Sequence, residues 1–153
     1  MRQAHRPKEV MLSRGIRSSL GEVDPLCRDV RSLLEEHGLA AVSFTTELVA
    51  RECLKNAIVH GNRRDAGKGV LFDLVIKRKW IYLKITDEGP GFNWRKAKRG
   101  VLPAETAVGG RGLAICALYA HRTTFNRRGN EVRLWIDKEP RRFEHDGRLH
   151  DRT

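Results

Sequence analysis

The chain has 153 residues, of which 40% are apolar and 32% charged, with a formal net charge of +11. That length supports one domain with its own core, and the apolar share excludes a disordered polyelectrolyte. No apolar run approaches the ~20 residues of a membrane helix, and no apolar signal core follows the basic start, so a cytoplasmic location with no membrane partner is expected.

Residues 1–8 are polar and read as a loose terminus. Residues 10–16 form a first strand, although their apolar alternation is poor. Asp24-Pro25 marks a helix start, an aspartate cap followed by a proline in the first turn. Leu26, Val30, Leu33 and Leu34 then recur at helical spacing, and Gly38 stops the helix. Ser43 or Thr45 opens a second helix that runs to about His60, with Val49, Ala50, Cys53, Leu54, Ala57 and Ile58 on its apolar face and Gly61-Asn62 at its end. Residues 70–76 and 80–86 read as a hairpin turned at Lys77-Arg78-Lys79. Residues 93–110 carry Gly100, Pro103 and several cations with little periodicity, the marks of a long functional loop. Residues 112–120 form a third helix, and residues 123–126 and 131–137 a last hairpin. In its second strand Val132, Leu134 and Ile136 alternate with Arg133, Trp135 and Asp137, so one face is covered and one is wet. From Lys138 onward the chain is a charged tail. The order predicts an α+β fold: a two-layer α/β sandwich, with a mixed, mostly antiparallel sheet covered on one face by three helices. One domain is expected over residues 9–137, with residues 1–8 and 138–153 as flexible charged termini.

Cys27, Cys53 and Cys116 are an odd number at wide spacing without a C-x-x-C pair, which argues against a disulfide framework and a cysteine zinc site. The positive charge is spread over predicted turns such as Arg95-Lys96, Arg127-Arg128 and Arg141-Arg142. It reads as solvated loops, or as attraction for an acidic protein or a polyanionic nucleotide. Nucleic acid is the lesser reading, because neither a recognition helix nor an aromatic stacking motif is visible.

Three segments carry chemistry. In Asp87-Glu88-Gly89-Pro90-Gly91-Phe92 a carboxylate ends a strand and two glycines follow it. The glycines permit close backbone approach to a ligand, and the carboxylate can accept from an amino group such as the exocyclic amine of adenine. Alone, the pattern is also an ordinary strand-ending turn. Glu52 and Asn56 lie one helical turn apart on one face of the second helix. The asparagine oxygen is a hard donor suited to magnesium, and the glutamate can take a proton from an attacking hydroxyl; an ordinary solvated face has the same composition. Gly109-Gly110-Arg111-Gly112-Leu113 precedes the third helix, where free backbone N–H groups and the helix dipole attract phosphate. It is neither a Walker loop nor a dinucleotide fingerprint.

Together, Glu52-x-x-x-Asn56-Ala57, Asp87-x-Gly89-x-Gly91 and Gly110-x-Gly112-Leu113 resemble the N, G1 and G2 boxes of the GHKL, or Bergerat-fold, ATPases, which include histidine kinases and gyrase. The run Asn56-Ala57-Ile58-Val59-His60-Gly61-Asn62 and the short span are similar to the bacterial anti-sigma factor serine/threonine kinases. The resemblance covers residues 9–137. It implies that Asp87 binds the adenine amine in a pocket shaped by Gly89 and Gly91, that Asn56 coordinates Mg2+ against the phosphates of ATP, and that Glu52 is the catalytic base. Residues 93–112 would be a lid over ATP, with Gly109, Gly110, Arg111, Gly112 and Leu113 near the phosphates and Arg99 and Arg111 as candidates for a phosphate contact. It also implies a sigma factor and an anti-anti-sigma (STAS-type) protein as partners, and a homodimer. Two other functions stay open: a non-catalytic ATP-dependent switch, and a nucleic-acid binder using the basic surface. His60 reads as a helix-end residue rather than a phospho-acceptor.

Overall fold

The computed structural model describes residues 9–95 and 110–140. The chain order is β1 (Val10–Arg17), α1 (Val23–Glu36), α2 (Ala40–Asn56), β2 (Gly69–Ile76), β3 (Trp80–Asp87), α3 (Gly110–Tyr119), β4 (Arg122–Phe125) and β5 (Glu131–Asp137). A short 3-10 turn, Leu20–Glu22, leads into α1, and a widened π turn, Ala57–Gly61, continues α2. The five strands lie in the order β1-β2-β3-β5-β4. All four pairings are antiparallel, in keeping with the mostly antiparallel sheet expected but without its parallel component.

The period-2 pattern of the strands builds the core. Leu12, Leu74, Leu83 and Leu134 are opposite one another along the register and all are buried. Phe72 faces Ile85, and Ile81 faces Ile136, on the same side. Alternation along β3 then has a functional consequence. Ile81, Leu83 and Ile85 point to the helix-covered face, so Asp87 at the strand end does too. The opposite face carries Ser13, Asp73, Lys84 and Arg133, with Lys84 Nζ 3.4 Å from Asp73 Oδ2.

The helices supply the second layer. Val23, Leu26, Cys27, Val30 and Leu34 of α1 are buried, as are Val42, Val49, Ala50, Cys53 and Leu54 of α2. The helix starts differ from the sequence expectation. Asp24 does not cap α1, which begins one residue earlier; its carboxylate is bound instead by Arg51 of α2. That guanidinium holds the Asp24 carboxyl below its ordinary range. α2 begins at Ala40 rather than at Ser43 or Thr45, whose hydroxyls donate back to the carbonyls of Ala40 and Val42 within the helix. Gly38, at φ +74°, ends α1 in the left-handed conformation that glycine adopts at little cost.

Candidate functional site

The end of α2 is where the regular helix is abandoned. Asn62 N donates to Ala57 O at 2.8 Å, five residues back, and Arg64 N to Ile58 O at 2.8 Å. A widened turn of this kind interrupts the usual ladder and is frequent at functional sites. It is followed by Arg63 at φ 53° and Arg64 at φ 59°, two consecutive non-glycine residues in the left-handed region. Each costs about 1–2 kcal/mol relative to ordinary helical backbone. The turn buries Asn62, which is 1% exposed.

Asn62 clamps three chain segments. Its Nδ2 donates to Gly69 O at 2.9 Å, at the start of β2, and its Oδ1 accepts from Glu88 N at 2.8 Å, just beyond β3. The carboxylate of Glu88 also accepts from Gly69 N. We expect Asn62→Ala to lower unfolding stability by about 1–3 kcal/mol, because it removes a buried side chain that satisfies the part-buried Glu88 N–H and Gly69 carbonyl. Urea denaturation measures that loss, and ATP affinity should fall in the same variant because the turn after Asp87 loses its anchor.

The β4–β5 turn closes the other side. Asn126 Oδ1 accepts from Gly129 N at 2.8 Å and Asn130 N at 3.1 Å, and its Nδ2 donates to Asn130 Oδ1 at 2.7 Å. Asn130 in turn donates through Nδ2 to Asp87 O at 2.7 Å, while Asp87 N donates to Asn130 O at 2.9 Å. The glycines are required by close approach. A Cβ on Gly89 would stand 1.9 Å from Gly61 O, and one on Gly91, at φ +80°, 1.9 Å from Arg128 O. A Cβ on Gly61 would meet the Asp87 carboxylate at 2.4 Å.

Between these segments lies a cavity of about 520 Å³, within the range of small-molecule sites. Asp87, Asn56 and Gly91 are on its wall, with Ile85, Val132 and Phe125 among its apolar lining and His60 and Arg63 at its polar side. Phe92 meets Phe125 edge-on at 5.3 Å. Burial pushes the Asp87 carboxyl above its ordinary range; the Gly89 N–H, 2.8 Å from Oδ1, and the charges of Arg128 and Lys68 oppose that shift. A largely buried carboxylate on the cavity wall, with Oδ1 held by backbone, can accept a hydrogen bond from a ligand's donor group.

The sequence-selected residues divide. Asn56, Asp87 and Gly91 come together on the cavity, and Gly89 packs directly behind Asp87. Glu52 is on α2 one turn before Asn56 but is not among the cavity-lining residues; its Oε1 is 3.3 Å from Lys55 Nζ. Gly110, Arg111, Gly112 and Leu113 form the opening backbone of α3. Gly109 and Arg99 lie outside the described residues, as do most of the expected lid and terminal residues 1–8 and 141–153. Sequence reasoning passed over Asn62, Asn126 and Asn130. Asn62 was read as a helix stop, and Asn126 and Asn130 as parts of an ordinary hairpin; an asparagine at each chain reversal was the available signal.

With this geometry in place, the comparison with known families is specific. The histidine kinase-like ATPase domain matches residues 16–136 of this chain. The chain belongs to that family: it is an ATP-binding domain of the kinase-like ATPase class, with the α+β sandwich of the GHKL fold. No curated protein matches it. Among the described residues, no helix is long and apolar enough to cross a membrane.

Proposed function

We propose that this domain is an ATP-dependent serine/threonine protein kinase that also acts as an anti-sigma factor, sequestering a sigma factor and phosphorylating an anti-anti-sigma protein of the STAS type. The observation that carries the nucleotide half of this reading is the placement of Asp87 and Asn56 on one cavity, closed by glycines that admit no side chain. The partner half rests on the similarity of residues 56–62 to those kinases.

In this reading Asp87 accepts a hydrogen bond from the adenine amine, and Ile85, Val132 and Phe125 enclose the base. The chemistry fits magnesium: Asn56 offers a hard amide oxygen on the cavity wall. Magnesium bound there would neutralise phosphate charge. Glu52 orients or deprotonates the partner's hydroxyl for in-line attack, while positioning and charge neutralisation supply most of the rate. Arg63, on the cavity wall, adds a positive charge that would attract a polyphosphate.

One observation favours a second reading. Glu52 is paired with Lys55 and lies off the cavity lining, as it would in a nucleotide-dependent switch that transfers nothing.

Calorimetric titration with ATP, with and without magnesium, followed by incubation of the domain with γ-labelled ATP and candidate STAS proteins, tests the proposal. Magnesium-assisted binding and a labelled serine or threonine are expected. Binding without label on any STAS protein encoded with this chain would replace the kinase by the switch.

A further inference from the structure

The two thiols of Cys53 and Cys116 come together across the helix layer. Cys53 is on α2, beside Glu52 and one turn before the end at Asn56; Cys116 is on α3, one turn beyond the glycine-rich segment that opens it. Their Sγ atoms are 3.3 Å apart, and the residues are 5% and 2% exposed. Both nevertheless contribute to the wall of the 520 Å³ cavity. A small oxidant that enters the cavity therefore comes to the wall that both cysteines help to form. Cys27, the third thiol, is buried and does not line that wall, and its thiol is pushed up to about 11 by burial.

We propose that Cys53 and Cys116 are an oxidisable dithiol built into the wall of the nucleotide cavity, and that their disulfide and ATP occupancy oppose one another. The second half rests on the nucleotide reading above; the first does not. A disulfide needs an S–S distance of about 2.0 Å, so the sulfurs must approach by roughly 1.3 Å. A packed interior does not absorb that shift without moving its lining. The lining in question holds Asn56, one turn from Cys53, and the crosslink would also tether α3 to α2. In the other direction, a base seated in the cavity would lie against the wall to which both cysteines contribute and hinder the oxidant's approach.

The oxidant is a hydroperoxide, with hydrogen peroxide as the probe. One sulfur, as thiolate, attacks a peroxide oxygen; the O–O bond breaks, leaving a sulfenic acid and hydroxide, which takes up the thiol proton as water. The second sulfur attacks the sulfenic sulfur, the S–O bond breaks, and a second water leaves as the S–S bond forms. Two thiols lose two electrons and one peroxide becomes two waters. The hydrogen bond between the thiols and their burial raise the Cys53 thiol well above its ordinary range, so the reaction is slow and calls for long exposure.

The test uses the full reduced chain, exposed to hydrogen peroxide with and without ATP, and reads intact mass and peptide maps. A loss of two hydrogens and a Cys53–Cys116 linked peptide are expected, absent from both Cys53→Ala and Cys116→Ala. ATP should slow crosslinking, and the crosslinked protein should bind ATP more weakly, by on the order of tenfold, with recovery in dithiothreitol. No linked peptide from the wild-type chain, or one that contains Cys27, would overturn the dithiol. A crosslink with unchanged ATP affinity would overturn the opposition. If the reduced chain binds no ATP, the nucleotide reading and the opposition fall together, while the linked peptide from the nucleotide-free sample still decides the dithiol.

Discussion

Asp87→Asn is expected to weaken ATP binding on the order of 10²-fold while leaving the domain folded. A hydrogen bond to a charged acceptor is worth about 1.5–3 kcal/mol, and the amide that replaces the carboxylate can turn a donor toward the adenine amine. Isothermal titration measures the affinity. Stability should move the other way. The folded-state pKa of Asp87 is raised above its unfolded value, chiefly by burial. The folded state thus binds more protons between those two values, and stability falls as pH rises from the unfolded pKa through the folded one. At neutral pH the charged side chain is a cost that Asn removes, and Asn keeps an oxygen for the Gly89 N–H. A variant more resistant to urea than the parent at pH 7 but blind to ATP would place the charge at Asp87 in service of ligand rather than fold. Retained ATP affinity would remove Asp87 from the adenine contact.

Glu52→Gln is expected to separate binding from transfer. A positioned general base contributes on the order of 10²–10⁴ in rate, so phosphotransfer should fall by that factor. ATP affinity should stay within about twofold, because Glu52 is not on the cavity lining and glutamine preserves its shape. The pairing with Lys55 Nζ at 3.3 Å makes a second variant informative. Lys55→Gln frees the carboxylate without altering it and leaves transfer intact if Glu52 is the base. Equal transfer in Glu52→Gln and parent would instead support the switch. The measurements are initial rates of label incorporation at saturating ATP, set beside calorimetric affinities.

The strands and helices were legible wherever periodicity was strong. In β3, the apolar run from Trp80 to Thr86 foretold the strand with Asp87 at its end, while the buried side of Asp87 emerged only from the alternation of Ile81, Leu83 and Ile85 in the fold. The Asn56 and Asp87 pairing came from motif chemistry, and the cavity brings the two together. What stayed hidden has two physical causes. Capping signals were overridden by tertiary partners: Asp24 is drawn to Arg51, and Ser43 and Thr45 are satisfied inside α2. The π turn and the left-handed Arg63 and Arg64 leave no mark on residue type, because they follow from the packing of Ile58 and Asn62 rather than from local preference. Strand order was equally silent. Nothing in residues 122–137 announces that β5, not β4, lies against β3.

That last hairpin also completes the site. The cavity needs residues near 60, near 90 and near 130, because Asn130 holds Asp87 and the Arg128 carbonyl lies over Gly91. A chain cut short before the last hairpin is therefore expected to lack a complete cavity and to bind no ATP, however well its helices and first hairpin pack.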